Sequence, residues 1–162
     1  MSAESVRAFF SAHAPDVAII DQGVSTATVN EAAEALGVVP ARIAKTLSLR
    51  VGDEVALVVA RGDARLNNGK AKAALGARPR MLGLEEVEGL TGHPAGGVCP
   101  FGLTSPLPVY CDISLRDFET VFPAAGSRTT SVELTPERLA ELTAARWIDI
   151  CTIPEDNLAE EN

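Results

Sequence analysis

Apolar residues in the first third of the chain follow a helical period and then the shorter period of strands. Residues 3–13 carry them at helical spacing and predict an amphipathic helix, and the apolar run 16–20 predicts a short strand. Thr28-Val-Asn-Glu31 has the pattern of a capping box, in which each side chain satisfies the other's free amide, and Gly37 is placed to end that helix. Pro40 suits the first turn of a short helix over 40–44.

The rest of the chain alternates strands and helices without a strict βαβ order. Runs 45–51 and 54–60, joined by Gly52-Asp53, predict a hairpin. Further predicted elements are helices over 66–75, 84–90 and 136–145, a short helix over 114–119, and strands over 108–113, 129–134 and 147–151. Four Gly and four Pro between residues 91 and 108 predict a long ordered loop. These elements predict one α+β domain over 1–153, followed by an acidic tail over 154–162.

Composition narrows the class of protein. The chain has 162 residues, of which 46% are hydrophobic and 22% charged, as in a globular domain. Apolar runs such as 55–60 are far shorter than a membrane span, and the N-terminus lacks a secretory pattern, so we expect a cytoplasmic protein without membrane contact. Three cysteines without C-x-x-C spacing and two histidines predict neither a disulfide framework nor a metal site. No cofactor is expected.

The charge is distributed unevenly. A net charge of −8 argues against nucleic acid as a partner. Residues 41–80, however, hold nine lysines and arginines against three acidic residues, whereas the remainder is strongly acidic. This basic stretch is a candidate phosphate-facing surface, and the alternative is that its cations are the solvated ends of strands and helices.

Two places in the chain could carry chemistry through charge or main-chain donors. Lys45 lies where a short helix meets an apolar strand; it could hold a phosphate or polarise a carbonyl, or it could simply enter solvent. Gly96-Gly-Val-Cys-Pro100 lies in the long loop. Adjacent glycines let a backbone approach a ligand and point two amides at one oxygen, which would stabilise an ester carbonyl as it gains charge; the alternative is a surface turn.

Side-chain nucleophiles and carboxylates are weaker candidates. Cys99 has His93 six residues away as a base, but no pattern supplies a third, orienting group, and most cysteines act as small hydrophobes. Cys111 and Cys151 lie in apolar strands and are predicted to be core residues. Asp112 ends a strand, where it either caps the helix near 114 or contacts the loop, and capping is the favoured reading.

Several of these motifs together resemble a known family. They are Ile43-Ala-Lys-Thr-Leu47 after a Leu-Gly-Val-x-Pro turn, Leu75-Gly-Ala77, Thr91-Gly-x-x-x-Gly-Gly-Val-x-Pro-x-Gly102, a strand ending in Asp112, and Val132-Glu-Leu134. From about residue 17 to 151 the chain resembles the YbaK/EbsC family of free-standing aminoacyl-tRNA deacylases, which are related to the editing domain of many bacterial prolyl-tRNA synthetases.

The resemblance implies a mixed β-sheet with a barrel-like core and surrounding helices, and hydrolysis of the ester that joins a wrong amino acid to a tRNA, most often a tRNA for proline. Lys45 is then expected to position the 3′-terminal nucleotide, and Gly96, Gly97 and Pro100 to hold the aminoacyl carbonyl. Thr46, Val98, Cys99 and Asp112 are expected at the substrate. A water attacks, so no protein nucleophile is required.

The implied partners are the 3′ CCA end of a mischarged tRNA and, in addition, a prolyl-tRNA synthetase, with a monomer as the default state. Family members specific for cysteine carry a Ser and an Asp where this chain has Ala124 and Ser131, and an aromatic where it has Ile19 or Ile20. Alanine, serine, threonine or another small amino acid is therefore expected as a substrate at least as much as cysteine. Two alternatives stay open: a non-catalytic module that binds a tRNA end or a synthetase, and a thiol-dependent hydrolase that uses Cys99.

Overall fold

Helices and short strands follow one another in mixed order through residues 2–154, the part of the chain that the computed structural model describes. The helices are α1 (Ser2–His13), α2 (Val29–Leu36), α3 (Asn68–Leu75), α4 (Leu84–Thr91) and α5 (Pro136–Thr143), with 3-10 turns at Pro40–Arg42 and Ile113–Asp117. The strands are β1 (Ile20–Asp21), β2 (Ile43–Val51), β3 (Glu54–Arg61), β4 (Arg65–Leu66), β5 (Arg80–Met81), β6 (Val109–Asp112), β7 (Phe122–Pro123), β8 (Thr130–Ser131), β9 (Arg146–Ile148) and β10 (Cys151–Thr152). The predicted acidic tail, apart from its first residue, lies outside the described residues.

The main sheet is mixed and is built on the predicted hairpin. β2 and β3 pair antiparallel through eight residue pairs, from Ala44↔Arg61 to Val51↔Glu54. β6 then runs parallel to β3, and β9 parallel to β6. On the other edge of β2, β5 pairs antiparallel and β7 pairs parallel. The predicted α+β class and mixed sheet are confirmed.

Hydrophobic clusters cover both faces of β3, which makes it the central strand. Leu57 and Val59 face a cluster that includes Phe10, Phe101 and Leu139. The alternate residues Val58 and Ala60 face a second cluster with Leu49, Ala71 and Ile150. A strand buried on both faces reads as a continuous apolar run, as β3 does.

Local sequence signals account for the ends of several helices. The Thr28 hydroxyl accepts a hydrogen bond from the Glu31 amide at 3.1 Å, and the Glu31 carboxylate accepts one from the Thr28 amide at 3.2 Å, so the capping box is confirmed. Gly37 ends α2 with φ of 70°. α5 ends earlier than predicted because Ala144, with φ of 53°, takes the left-handed conformation without being a glycine.

Three predicted strands are shorter than expected. The runs over 16–20 and 129–134 contribute only the two-residue strands β1 and β8, which pair with each other. The run over 147–151 is divided between β9 and β10, because the Ile150 amide donates to the Asp112 carboxylate instead of to a neighbouring strand. Within residues 2–154, no helix is long and apolar enough to cross a membrane.

Candidate active site

One edge of β2 has a partner at each end and none in the middle. Residues 43–44 pair with β7, and residues 49–50 pair with β5. The Leu82 amide extends the second pairing by donating to the Ser48 carbonyl at 3.0 Å. In the described part of the chain, no strand pairs with residues 45–47 on this edge.

The gap exposes main-chain groups of one particular residue. Alternate residues of a strand turn their N–H and C=O groups to opposite edges, and Ser48 turns its carbonyl to the edge that carries Leu82. Thr46, two residues from Ser48, therefore turns its N–H and C=O groups to the open edge. Lys45 and Thr46 of the recognised motif thus lie where the sheet is interrupted.

A cleft of about 290 Å³ occupies the interruption. Ala44, Thr46 and Ser48 share the β2 face that lines it. The other boundaries are the start of α2, the segment leading into α4, the loop over 95–98, and the strands β7 and β8. Ala124 and Ser131, the two positions where the chain departs from the cysteine-specific pattern, are both lining residues and form a bridge with each other.

The glycine loop, residues 95–98, contains two glycines that allow it to pack tightly against residues 26–27 and 127–128. A Cβ on Gly97 would lie 2.9 to 3.1 Å from main-chain atoms of Ser127, closer than real side chains approach. A Cβ on Gly96 would lie 2.8 Å from the Ala27 Cβ, and Gly96 has φ of 86°. Glycine at both positions thus lets the loop approach residues 26–27 and 127–128.

The loop contains two main-chain donors without partners. The Gly97 amide already donates to the Pro94 carbonyl at 2.9 Å. The amides of Gly96 and Val98 have no hydrogen-bond partner among residues 2–154, and both residues line the cleft. Unpaired main-chain amides in a short loop are the kind of donor that can stabilise an oxygen that gains negative charge.

Lys45 is half-buried and lies among the lining residues, but its side chain leaves the face of β2 opposite to that of Ala44, Thr46 and Ser48. Its Nζ donates a hydrogen bond to the Ala64 carbonyl. Burial lowers the pKa of Lys45, while the nearby Cys151 and Asp63 act in the opposite direction. An ammonium has three donors, so two remain for other partners after the bond to Ala64.

The Thr46 hydroxyl is a buried polar group without a hydrogen-bond partner within the described residues. Leaving such a group unpaired costs about 1–3 kcal/mol, so unpaired groups of this kind concentrate where a ligand or water completes the bonding. The interruption in β2 therefore combines unpaired main-chain and side-chain groups at one residue.

The His93 cluster, made of Ser2, His93, Cys99 and Phe101, is buried and hydrogen-bonded internally, unlike the groups that line the cleft. His93 and Cys99 are fully buried. His93 Nε2 lies 2.6 Å from the Phe101 carbonyl oxygen and 3.6 Å from Cys99 Sγ, and His93 Nδ1 lies 2.5 Å from Ser2 Oγ. Burial raises the pKa of the Cys99 thiol to about 12 and lowers the pKa of His93. A thiol that stays protonated and is shielded from the cleft is a poor nucleophile.

Asp112 acts as the predicted cap. One carboxylate oxygen accepts from the Ser114 amide at 3.0 Å, and the other accepts from the Ile150 amide at 2.8 Å. Gly97, Cys99, Pro100 and Asp112 are not among the lining residues of the cleft, whereas Lys45, Thr46, Gly96 and Val98 are. For Gly97, Cys99, Pro100 and Asp112, a role at the substrate stays a prediction, and none of these four residues lines the cleft.

Cys111 and Cys151 are buried, as predicted for core residues.

The basic stretch over 41–80 divides into structural and exposed cations. Arg61 is fully buried; it forms ion pairs with Asp63 and Asp117 and packs over the Phe118 ring. Three others form ion pairs with acidic side chains: Arg42 with Glu133, Arg50 with Glu86 and Lys70 with Asp149. The exposed cations of this stretch that form no ion pair within residues 2–154 are Arg65, Lys72, Arg78 and Arg80.

Sequence reasoning missed other residues around the cleft. Residues 26–29 line it, and their only sequence signal was the capping box that begins at Thr28. Arg128 borders the glycine loop from a segment without any motif, and its Nε donates to the Ala95 carbonyl at 2.9 Å. Over the described range, no group of three or more His, Cys, Asp or Glu side chains could hold a metal ion.

A family model of the aminoacyl-tRNA editing domain matches residues 24–142, and every residue that lines the cleft lies in that segment. The chain belongs to the aminoacyl-tRNA editing domain family. Editing is the hydrolysis of the ester between a wrong amino acid and its tRNA, so the protein is an aminoacyl-tRNA deacylase. The family and the enzyme class predicted from the Lys45 and glycine-loop motifs are confirmed.

Relatives include free-standing proteins and synthetases. The uncharacterized protein YwhH of Bacillus subtilis is 48% identical over 153 residues, which cover 93% of this chain and 98% of YwhH. EbsC of Enterococcus faecalis, which carries the name of a Cys-tRNA(Pro)/Cys-tRNA(Cys) deacylase, is 35% identical over 74% of each chain. The proline–tRNA ligase of Shouchella clausii is 38% identical over 79% of this chain but only 22% of the ligase.

Solved structures agree with the fold. A structure named as a trans-editing enzyme for prolyl tRNA synthetase superposes with a TM-score of 0.86 at 33% identity, covering 93% of this chain and 97% of that one. The hypothetical protein APE2540 superposes with a TM-score of 0.84 at 32% identity, covering 91% and 99%.

Proposed function

We propose that this deacylase removes a small amino acid wrongly attached to tRNA for proline, acting in trans and as a monomer in the cytoplasm. The observation that carries the proposal is the cleft itself, where the interrupted edge of β2 with Lys45 and Thr46 lines the same space as Gly96 and Val98. Similarity to proline–tRNA ligases and to a structure named as a trans-editing enzyme for prolyl tRNA synthetase supports the choice of tRNA.

The cleft suits hydrolysis by a water without a protein nucleophile. The aminoacyl carbonyl oxygen accepts hydrogen bonds from the amides of Gly96 and Val98, which stabilise the negative charge that develops when a water adds to the carbonyl carbon. The ester C–O bond then breaks, the 3′ oxygen takes up the proton that the attacking water gives up, and the free amino acid and the tRNA leave. Positioning and electrostatics supply the acceleration.

Lys45 acts by charge in this proposal. Its two N–H groups that are not bonded to Ala64 can donate to the 3′-terminal nucleotide and hold the ester beneath the loop. Only the CCA end enters the cleft. A protein with a net charge of −8 can therefore use a few local cations instead of an extended basic surface.

The walls of the cleft limit the size of the amino acid that can bind. Ala44, Ala124 and Phe122 line the cleft on the side of β7 and β8. A single methylene changes binding by only ~1–3 kcal/mol, so discrimination against a larger amino acid must be steric. Amino acids smaller than proline, such as alanine and serine, are accordingly the expected substrates, and threonine, which is about as large as proline, tests the limit that the walls set.

A deacylation panel tests the proposal. tRNA for proline and one unrelated tRNA are charged with alanine, cysteine, serine, threonine and proline, and ester loss is followed for the wild type, Lys45→Ala and Cys99→Ala. We expect release of a small amino acid from tRNA for proline, strongly reduced by Lys45→Ala and retained by Cys99→Ala. Tight binding of the tRNA end without any ester loss above the buffer rate would instead indicate a binding module.

A further inference from the structure

Arg128 lies where the loops that border the cleft meet. Its carbonyl accepts hydrogen bonds from the Thr26 amide at 2.6 Å and from the Thr26 hydroxyl at 3.1 Å. Its Nε donates to the Ala95 carbonyl at 2.9 Å. One residue thus joins the segment before α2, the glycine loop and the segment before β8.

The side chain of Arg128 runs along the glycine loop. Its Cγ lies 3.5 Å from the position that a Cβ would occupy on Gly96, the loop residue whose amide is free to bind a substrate oxygen. Thr26 and Ala95 both line the cleft, so the atoms that hold Arg128 in place belong to its walls. The orientation of this arginine and the shape of the cleft are therefore coupled.

The rest of the guanidinium is free. Arg128 is exposed, and neither Nη atom has a hydrogen bond or ion pair within residues 2–154. Arg42 and Arg50, in contrast, direct a terminal nitrogen to a glutamate. The two Nη atoms carry four N–H donors in the planar arrangement that matches a phosphate group.

We infer that Arg128 binds the first phosphate of the tRNA 3′ end that lies outside the cleft, while its Nε keeps the glycine loop in place. This inference rests on the proposed function, because an aminoacyl ester held in the cleft brings that phosphate to the rim. The phosphates are the anionic groups of a tRNA 3′ end, so a free, fixed cation at the rim is complementary to them. Binding the phosphate then also steadies the loop that carries the Gly96 amide.

A pair of small substrates tests the inference. 3′-O-aminoacyl adenosine is prepared with and without a 5′-phosphate, using the amino acid that the wild type releases, and kcat/KM is measured for both compounds. We expect the wild type to prefer the phosphorylated compound by roughly 10-fold or more, as charge-assisted hydrogen bonds predict. Arg128→Ala should abolish the preference, and Arg128→Lys, which keeps the charge, should restore part of it.

Salt dependence gives a second readout that loss of the loop contact alone would not change. With charged tRNA, the slope of log kcat/KM against log salt concentration should become shallower by about 0.7 in Arg128→Ala. Arg146→Ala is the matched control, because Arg146 is an exposed arginine on β9, at the opposite edge of the sheet from β5. It should change neither the phosphate preference nor, appreciably, the slope.

The outcomes separate the two proposals. An active Arg128→Ala variant that keeps the wild-type phosphate preference and salt slope overturns the inference and leaves the deacylase proposal standing. A wild type that hydrolyses neither the small compounds nor any charged tRNA overturns the deacylase proposal, and the inference with it. Since the preference is a ratio within each variant, a partly misfolded preparation does not imitate the expected result.

Discussion

The interrupted edge of β2 and the His93 cluster both contain polar groups, but the groups at the edge lack hydrogen-bond partners and those in the cluster have them. In the cleft at this edge, the Thr46 hydroxyl and the loop amides of Gly96 and Val98 have no partners among the described residues, and Lys45 has two N–H donors beyond its bond to Ala64. In the cluster, both ring nitrogens of His93 are engaged, and the Cys99 thiol is sealed inside the core.

The difference shows that hydrogen-bonding groups without partners, more than the type of residue, mark the functional region. A cysteine and a histidine six residues apart are a typical nucleophile and base, yet burial keeps the Cys99 thiol protonated and unreachable. A lysine, a threonine and two loop amides are ordinary groups, but the missing strand partner exposes the main chain of Thr46, and the loop amides beside the same cleft are unpaired within residues 2–154. The predictions below therefore change one region and use the other as the control.

The largest effect is expected from Lys45→Ala at the open edge. Removing the ammonium should lower kcat/KM for deacylation by roughly 100-fold, the usual cost of removing one fixed electrostatic contact at a reacting centre. The free energy of unfolding should also fall, by about 1–3 kcal/mol, because Ala64 is fully buried and its carbonyl loses the Lys45 donor. Single-turnover hydrolysis and urea unfolding measure the two quantities; a variant within threefold of the wild-type rate would show that the edge is not the reacting region.

The next effect is expected on stability, from His93→Ala in the closed cluster. This change removes a fully buried ring and leaves the Phe101 carbonyl without its imidazole donor, so the free energy of unfolding should fall by about 2–4 kcal/mol. At a temperature where the variant is folded, kcat should stay within a few-fold of the wild type. A folded variant that loses activity as completely as Lys45→Ala would mean that the cluster takes part in the reaction.

Sequence reasoning found the residues of the open edge but not the reason they are open. The Lys-Thr-Leu and Gly-Gly-Val segments stood out because their spacing resembles a family; adjacent glycines alone were equally compatible with a surface turn. The interruption itself depends on β5 and β7, two-residue strands that are too short to carry an alternating pattern. Arg128 escaped notice because its position is set by tertiary contacts with Thr26 and Ala95.

The distribution of charge along the chain predicted the phosphate-facing surface only in part, again because tertiary contacts decide which cations are exposed. Arg61 counted toward the basic stretch, but the fold buries it between Asp63 and Asp117. Sequence cannot show that an arginine is neutralised by a carboxylate 56 residues away. The caps, the hairpin turn and the α2 capping box were predictable because each is decided by residues within four positions of one another.

A smaller effect is expected from pH, again through His93. Burial lowers its pKa below the ordinary value of 6.5, so the unfolded chain binds a proton more readily than the folded one. The free energy of unfolding should therefore be constant above about pH 6.5 and fall as the pH decreases below it, by at most about 1.4 kcal/mol per pH unit. Urea unfolding at pH 7.5 and 5.5 measures this, and His93→Gln should remove the corresponding part of the decrease.

The smallest effect is expected from Cys99→Ala. Because burial raises the pKa of this thiol to about 12, it is uncharged at neutral pH, and kcat/KM should stay within about twofold of the wild type. Alkylation by iodoacetamide at pH 8 should be slow in the folded protein and fast in urea, since the thiol becomes accessible and more acidic on unfolding. Rapid alkylation of the native protein together with loss of activity would show instead that the His93 cluster opens and that Cys99 takes part in the reaction.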